Sequence, residues 1–373
     1  MKDIPSRWPH RVAIVLAVIV FPLIWVGGLV TTIDAGMAVP DWPGTYGYNM
    51  FLYPIETWLF GPFDLFVEHG HRLLGSLAGL VAIWLVFVTM RNEPRKSVRR
   101  FSILLLILVI AQGMLGGMRV LLDARTLAKV HGCVGPAFFA CVAGFIVVTS
   151  RWWWNQSSVR SLKASLPQRK SGTSGYGLIF LSTLMVAASF GQLVVGAFLR
   201  HIDVSSPANI YRGLVVLHIM IAVAILLGTT AQWINSRLPR FKDAGIRGSI
   251  NILMLLVLAQ ILLGLGTWVV KFGWPVWFAQ QSFAASFIVG EKTFVQMNII
   301  TAHVAFGSLI LAFWTVHMLR CRCSLRSRID LPIADTDKQG LTNGADCQDS
   351  DFETTTPNSE ATNLSPQPLS TSG

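Results

Sequence analysis

Eight stretches of this chain stay apolar for about 20 residues each, and nothing else in it limits the fold so strongly. They lie at about 12–30, 69–90, 101–120, 130–150, 176–198, 212–233, 249–271 and 297–319. About 20 apolar residues in a helix cross the hydrocarbon core of a bilayer. In that core every backbone N–H and C=O must bond within the protein, which leaves helices as the spanning form. The predicted fold class is an all-α polytopic membrane protein with eight transmembrane helices. Composition agrees: 13% of residues are charged, against about 25% in a soluble domain. The first block, Val12 to Val30, is too long for a signal-peptide core and no convincing cleavage site follows it, so it is expected to be a retained helix.

The formal net charge of +11 would suit nucleic acid, but its placement excludes that partner. Lys2, Arg7 and Arg11 precede the first span. Arg91, Arg95, Lys96, Arg99 and Arg100 follow the second, Arg151, Arg160, Lys163, Arg169 and Lys170 the fourth, and Arg237, Arg240, Lys242 and Arg247 the sixth. Arg320, Arg322, Arg326 and Arg328 follow the eighth, whereas the loop from Thr31 to Val67 contains no Lys or Arg. Positive loops remain on the cytoplasmic side, so both termini are expected there. Trp152, Trp153 and Trp154 would anchor that interface. None of Cys133, Cys141, Cys321, Cys323 and Cys347 falls in an outer loop, which argues against a disulfide framework.

The chain reads as two copies of one four-helix unit. Leu108 to Gly116 (LVIAQGMLG) aligns with Leu256 to Gly264 (LVLAQILLG) at an offset of 148, and His71 reaches His218 at an offset of 147. An even number of spans per copy keeps both in one orientation, giving two tandem four-helix bundles related as a parallel pseudo-repeat. The expected divisions are an N-terminal half at 1–155, a cytoplasmic linker at 156–175, a C-terminal half at 176–320 and a disordered cytoplasmic tail at 321–373. The tail is rich in Ser, Thr, Asp, Asn, Gln and Pro.

Four of the eight histidines, His71, His131, His218 and His303, lie within about two turns of the outer end of an even-numbered span. Gly75, Gly135 and Gly307 follow three of them at four residues, and Ala222 follows His218. Two facing imidazoles on neighbouring helices suit a six-coordinate haem iron, with small residues admitting the porphyrin edge. One tetra-His zinc or copper site is the alternative metal reading, and hydrogen-bonded packing histidines are the plain one. Two bis-His sites fit the repeat better.

Glu68 stands three residues before His71 and shares its helix face, together with Gly75 and Gly79, which leave a hollow beside the imidazole. It either complements a helix N-terminus or stabilises charge and moves protons beside a haem edge. The other half has Val215 at that place, an asymmetry suggesting one reactive site and one passive electron carrier. Arg72 and Arg212 would contact haem propionates or lipid phosphates, or snorkel to the interface.

The residues resemble the haem A synthases, cytochrome oxidase assembly enzymes, over roughly 12–320. The resemblance rests on Glu-x-x-His-Arg at Glu68 to Arg72, Val-Pro-Asp-Trp-Pro at Val39 to Pro43, and one histidine in each even span. It implies that haem O, the substrate, lies between His71 and His131, and that a haem b iron cofactor lies between His218 and His303. Glu68 matches the catalytic glutamate. The implied activity is oxidation of a haem O methyl to a formyl group through two hydroxylations, the geminal diol then losing water. It places the protein in a bacterial inner membrane with its haem sites towards the outer face. Membrane lipid, an electron acceptor that the sequence does not name and a haem O synthase are the associated partners. The chain lacks the outer-loop cysteine pair that many members carry, so Val39–Pro43 is expected to act as a rigid cap with Trp42 as aromatic cover. The rival readings are a di-haem b-type cytochrome that only transfers electrons, which would not need Glu68, and a transporter or assembly factor without haem chemistry.

Overall fold

A computed structural model describes residues 6–156, 174–202, 205–239, 245–281, 284 and 287–329. Eight helices in it are long and apolar enough to cross a membrane. They are α1 (Trp8–Thr32), α2 (Phe63–Asn92), α3 (Lys96–Leu121), α4 (Arg125–Thr149), α5 (Ser174–Arg200), α6 (Ala208–Arg237), α7 (Arg247–Phe272) and α8 (Phe294–Ile329). Each contains one of the eight predicted spans. No strand is present among the described residues, and the first outer loop adds only 3₁₀ turns and a short helix, Ile55–Leu59.

Helix ends follow local chemistry. Pro62 and Pro207 stand at the N-cap positions of α2 and α6, two of the four helices that carry a predicted haem-ligand histidine near their N-termini. Asp34 and Asp123, just beyond the ends of α1 and α3, take positive φ angles of 62° and 45°. These left-handed residues stop the helices and turn the chain. Pro22 and Pro136 lie inside α1 and α4, as helices in membrane bundles tolerate.

Within the N-terminal half α1 packs on α2, α2 on α3, α3 on α4, and α4 back on α1. In the C-terminal half α5, α6, α7 and α8 make the same closed ring. The rings meet through α4 against α8, flanked by α1 against α8 and α4 against α5. Such contacts are those of two units related by a pseudo-two-fold axis, consistent with the tandem arrangement expected from the repeat.

One difference concerns the end of the last helix. It runs to Ile329, so Cys321 and Cys323, assigned to the tail, are instead buried helical residues. Apolar packing against α5 and α7 carries the helix past the charged residues. The remainder of the predicted tail and most of the linker lie outside the described residues.

Both halves are solid towards their inner ends. Val12, Leu16, Ala82, Leu85, Leu105, Val142 and Phe145 pack the N-terminal core, and Met185, Ile250, Leu253, Val257 and Trp314 the C-terminal one. The register is regular: Ala78, Phe138, Ile225 and Ile310 are all buried, and each lies seven residues after its histidine. Two turns on the same helix face therefore put an apolar floor beneath His71, His131, His218 and His303.

Candidate functional site: two histidine pairs

Above those floors the four histidines pair within each half. The ring centroids of His71 and His131 lie 6.3 Å apart, and those of His218 and His303 lie 6.2 Å apart. An iron bonded at about 2 Å to a nitrogen of each ring, with the ring centre about 1.1 Å behind it, sets opposed rings roughly 6.2 Å apart. Both gaps therefore match one iron. No group of three or more metal-binding side chains occurs among the described residues. The tetra-His zinc or copper alternative consequently falls: the imidazoles stay in separate bundles, two by two.

Each imidazole rests on a glycine of an odd-numbered helix. A methyl added at Gly27 would lie 2.7 Å from His71 Cε1, and one at Gly116 would lie 2.9 Å from His131 Cε1. The corresponding separations are 3.5 Å from Gly196 to His218 and 3.2 Å from Gly264 to His303. Four residues before three of these glycines stands a glutamine. Gln112 Nε2 donates to the His131 carbonyl at 2.8 Å, Gln192 Nε2 to the His218 carbonyl at 2.9 Å and Gln260 Nε2 to the His303 carbonyl at 2.9 Å. The fourth seat, in α1, has Leu23 at that place. These bonds tie the backbone turn that carries each histidine to the neighbouring helix. Of the rings, His131 Nδ1 donates to the Gln112 backbone carbonyl at 3.1 Å, the kind of partner that orients a metal-ligating imidazole.

The seats were in view in the sequence, since Gln112 to Gly116 and Gln260 to Gly264 form part of the repeated segment; their register against the histidines was not. Gly135 and Gly307 serve differently from expected. They border the glutamine amides, with Gln112 Nε2 3.2 Å and Gln260 Nε2 3.5 Å from where a Cβ would stand.

Gly75 and Gly79 on α2 and Gly113 on α3 would meet nothing within 4 Å if given a Cβ. Their counterparts in the repeat are Ala222, Leu226 and Ile261, and Leu226 and Ile261 pack into the C-terminal core. At these three matched positions the N-terminal half therefore carries no side chain where the C-terminal half carries one.

Glu68 is 2% exposed and is held by two donors, the Val39 backbone N–H to Oε2 at 2.9 Å and Arg72 Nη2 to Oε1 at 2.9 Å. Arg72 Nη1 also donates to the carbonyls of Asp41 and Gly44 at 2.7 and 2.9 Å, and Nη2 to that of Val39 at 2.7 Å. The guanidinium, suggested as a propionate contact, is thus a strut that binds the outer loop to α2. Arg212 is exposed on the second turn of α6.

The Val39–Gly44 segment does cap the N-terminal half. Val39 is fully buried, the Trp42 ring lies against Gly117 of α3, and the Arg119 guanidinium lies against Gly36. His69, beside the ligand histidine, serves the cap: its Nδ1 pairs with Thr45 Oγ1 at 3.1 Å, between the rings of Tyr53 and Trp58. Asp41 organises the turn by accepting from the Tyr46 and Gly47 amides at 2.7 and 2.9 Å. Burial pushes its pKa up, but those amides and the nearby Arg72 outweigh burial and hold it below the ordinary carboxylate value.

Arg119 was missed from sequence. Its charge acts on Glu68, His71 and His131 together. A lone arginine at a span end has no signal beyond ordinary snorkelling.

Comparison with known proteins settles the family. A family model described as cytochrome oxidase assembly protein matches residues 10–211, more than half of the chain. The chain belongs to that family. Among its relatives is a protein named heme A synthase from Cereibacter sphaeroides (strain KD131), 26% identical over 71% of this chain and 81% of that protein. Another of that name, from Chelativorans sp. (strain BNC1), is 35% identical over 38% of this chain and 39% of its own length. A third, from Beijerinckia indica, is 28% identical over 48% of this chain and 56% of its own. Membership of this cytochrome oxidase assembly family bears out the resemblance read from Glu68–Arg72, Val39–Pro43 and the four histidines.

Proposed function

We propose that this protein is a haem A synthase that oxidises one methyl group of haem O to a formyl group. The observation carrying this reading is that two histidine pairs each stand at the separation one iron would bridge, while only the N-terminal pair has a buried carboxylate, Glu68, one helix turn away along the chain. The names of the relatives support it.

In this reading His71 and His131 hold the substrate haem, and His218 and His303 hold a resident haem b. When bound, haem b supplies an electron-transfer centre. Conversion of the methyl to the formyl group takes up one water and releases four protons and four electrons, so the site needs a charge stabiliser, a proton acceptor and a route for electrons. Glu68 fits the first two tasks. Its fixed negative charge favours positive charge on the substrate, and a preorganised group of this kind is worth about 10²- to 10³-fold in rate. Arg72 and the Val39 amide hold the carboxylate in place. The cap with Trp42 covers the site, and the open positions at Gly75, Gly79 and Gly113 accommodate the bulkier haem.

The charge pattern supports a bacterial inner membrane setting with both termini on the cytoplasmic side and the haem sites near the outer face. A haem O synthase as donor and a separate electron acceptor complete the reading.

The test is pigment extraction and chromatography of the purified protein and of Glu68→Ala, from cells that also make haem O. Haem A or its hydroxylated precursor from the wild type, with haem O accumulating in the variant, is the expected result. Haem b alone in both would leave a di-haem electron carrier, and a colourless protein would remove the haem reading.

A further inference from the structure

The four histidines are held with unequal strength, and the inequality divides the halves. In the N-terminal half Gln112 and His131 form a closed pair. Gln112 Nε2 donates to the His131 backbone carbonyl at 2.8 Å, and the Gln112 backbone carbonyl accepts from His131 Nδ1 at 3.1 Å. The first bond fixes the helix turn that carries the histidine; the second fixes the imidazole itself.

In the C-terminal half both histidines receive one such anchor, from Gln192 and Gln260. His71 has neither. Leu23 occupies the glutamine place in its seat and offers no side-chain amide, leaving only its backbone carbonyl for His71; His71 Nδ1, like His218 Nδ1 and His303 Nδ1, makes no full hydrogen bond. Space also adjoins it on its own helix face: a Cβ at Gly75 would meet nothing within 4 Å, whereas one at Gly135, four residues after His131, would meet Gln112 Nε2 at 3.2 Å.

We propose that His71 is the exchangeable axial ligand of the N-terminal site and His131 the permanent one. The inference rests on the haem reading given above. A substrate haem must arrive and a product haem must leave, and a six-coordinate iron enclosed between two helices cannot do either until one ligand lets go. A resident cofactor has no such need, and its two ligands are anchored alike. Leu23 and Gln112 are thus positioning residues. One leaves its histidine free to swing, and the other ties its histidine to the neighbouring helix.

The experiment is haem transfer from the purified full-length protein to excess apomyoglobin, followed by absorption, with carbon monoxide binding to the reduced protein as a second readout. Release from wild type is expected in two phases, the faster from the N-terminal site, and carbon monoxide should bind at that site. His71→Ala should retain a five-coordinate N-terminal haem, whereas His131→Ala should lose it. Leu23→Gln should slow the fast phase about five-fold, the factor that one hydrogen bond is worth, and leave the slow phase unchanged.

Because Leu23→Gln places a polar group within α1, Gln192→Leu offers the converse: release from the C-terminal site should quicken about five-fold. Retention of haem by His131→Ala with loss from His71→Ala would overturn the proposal, as would equal release from both sites. A wild-type protein without any bis-histidine haem spectrum would overturn the functional reading itself, so the two failures are distinguishable.

Discussion

The two halves share a ring of four helices, a histidine pair about 6.2 Å apart above an apolar floor, and glycine seats on the odd helices, yet they are built for different tenants. The C-terminal half carries larger side chains at matched positions. Leu226 and Ile261 pack where the N-terminal half has Gly79 and Gly113, and both histidines are anchored by glutamine. The N-terminal half has open space, a buried Glu68–Arg72 pair and a cap drawn down on it. In the haem A synthase reading, the repeated architecture would bind iron and the departures from the repeat would supply reactivity. A symmetric electron carrier would have no use for those departures.

The largest effect should come from removing the group present in one half alone. Glu68→Gln keeps the shape and removes the charge, and should lower haem A formation about 10²- to 10³-fold with haem content unchanged; equal activity would make the asymmetry incidental.

Next is the room in the N-terminal half. Gly79→Leu with Gly113→Ile imports the residues of the other half, and haem O recovered with the purified protein should fall more than about ten-fold while haem b is retained. The reverse change, Leu226→Ala, opens a cavity in the C-terminal core and should cost about 2–5 kcal/mol, read from thermal unfolding in detergent.

Arg72→Ala leaves the Glu68 carboxylate buried without its partner, an estimated loss of about 3–5 kcal/mol. Hydrogen exchange should rise across Val39–Gly44 but not in the loops of the C-terminal half. Arg72→Lys should recover only part of it, because a single ammonium cannot reproduce the fork that reaches Glu68 and three carbonyls.

The smallest effect concerns pH. His201 lies in the loop after α5, where burial and then the charges of Arg200, Lys129, Arg119 and Arg125 lower its pKa to about 4. Its folded value lies below the ordinary 6.5, so its contribution to stability is complete above about pH 6.5 and is lost as pH falls towards about 4. His201→Ala should flatten the stability profile in that window by a modest amount and leave it unchanged at pH 7 to 8.

Sequence and structure divide the credit along physical lines. Eight helices were legible because a bilayer imposes length and apolarity on each span separately, which the residues record one block at a time. The four histidines were legible because they recur at one depth in a repeated frame. The roles of Arg72 and Arg119 were not, since an arginine at a span end looks the same whether it meets water, lipid or a folded-back loop. His69 could not be told from its neighbour His71 by type, although one ties down the cap and the other faces the site.

By itself, the chain determined its class, its repeated segment and the four histidines proposed to bind iron, for these are properties of composition and spacing along single helices. Which imidazoles pair, what each rests on, which half keeps open space and where Glu68 finds its partners were decided by contacts between helices far apart in the chain. Such contacts depend on the rotation and depth at which the helices meet, and no single span encodes either.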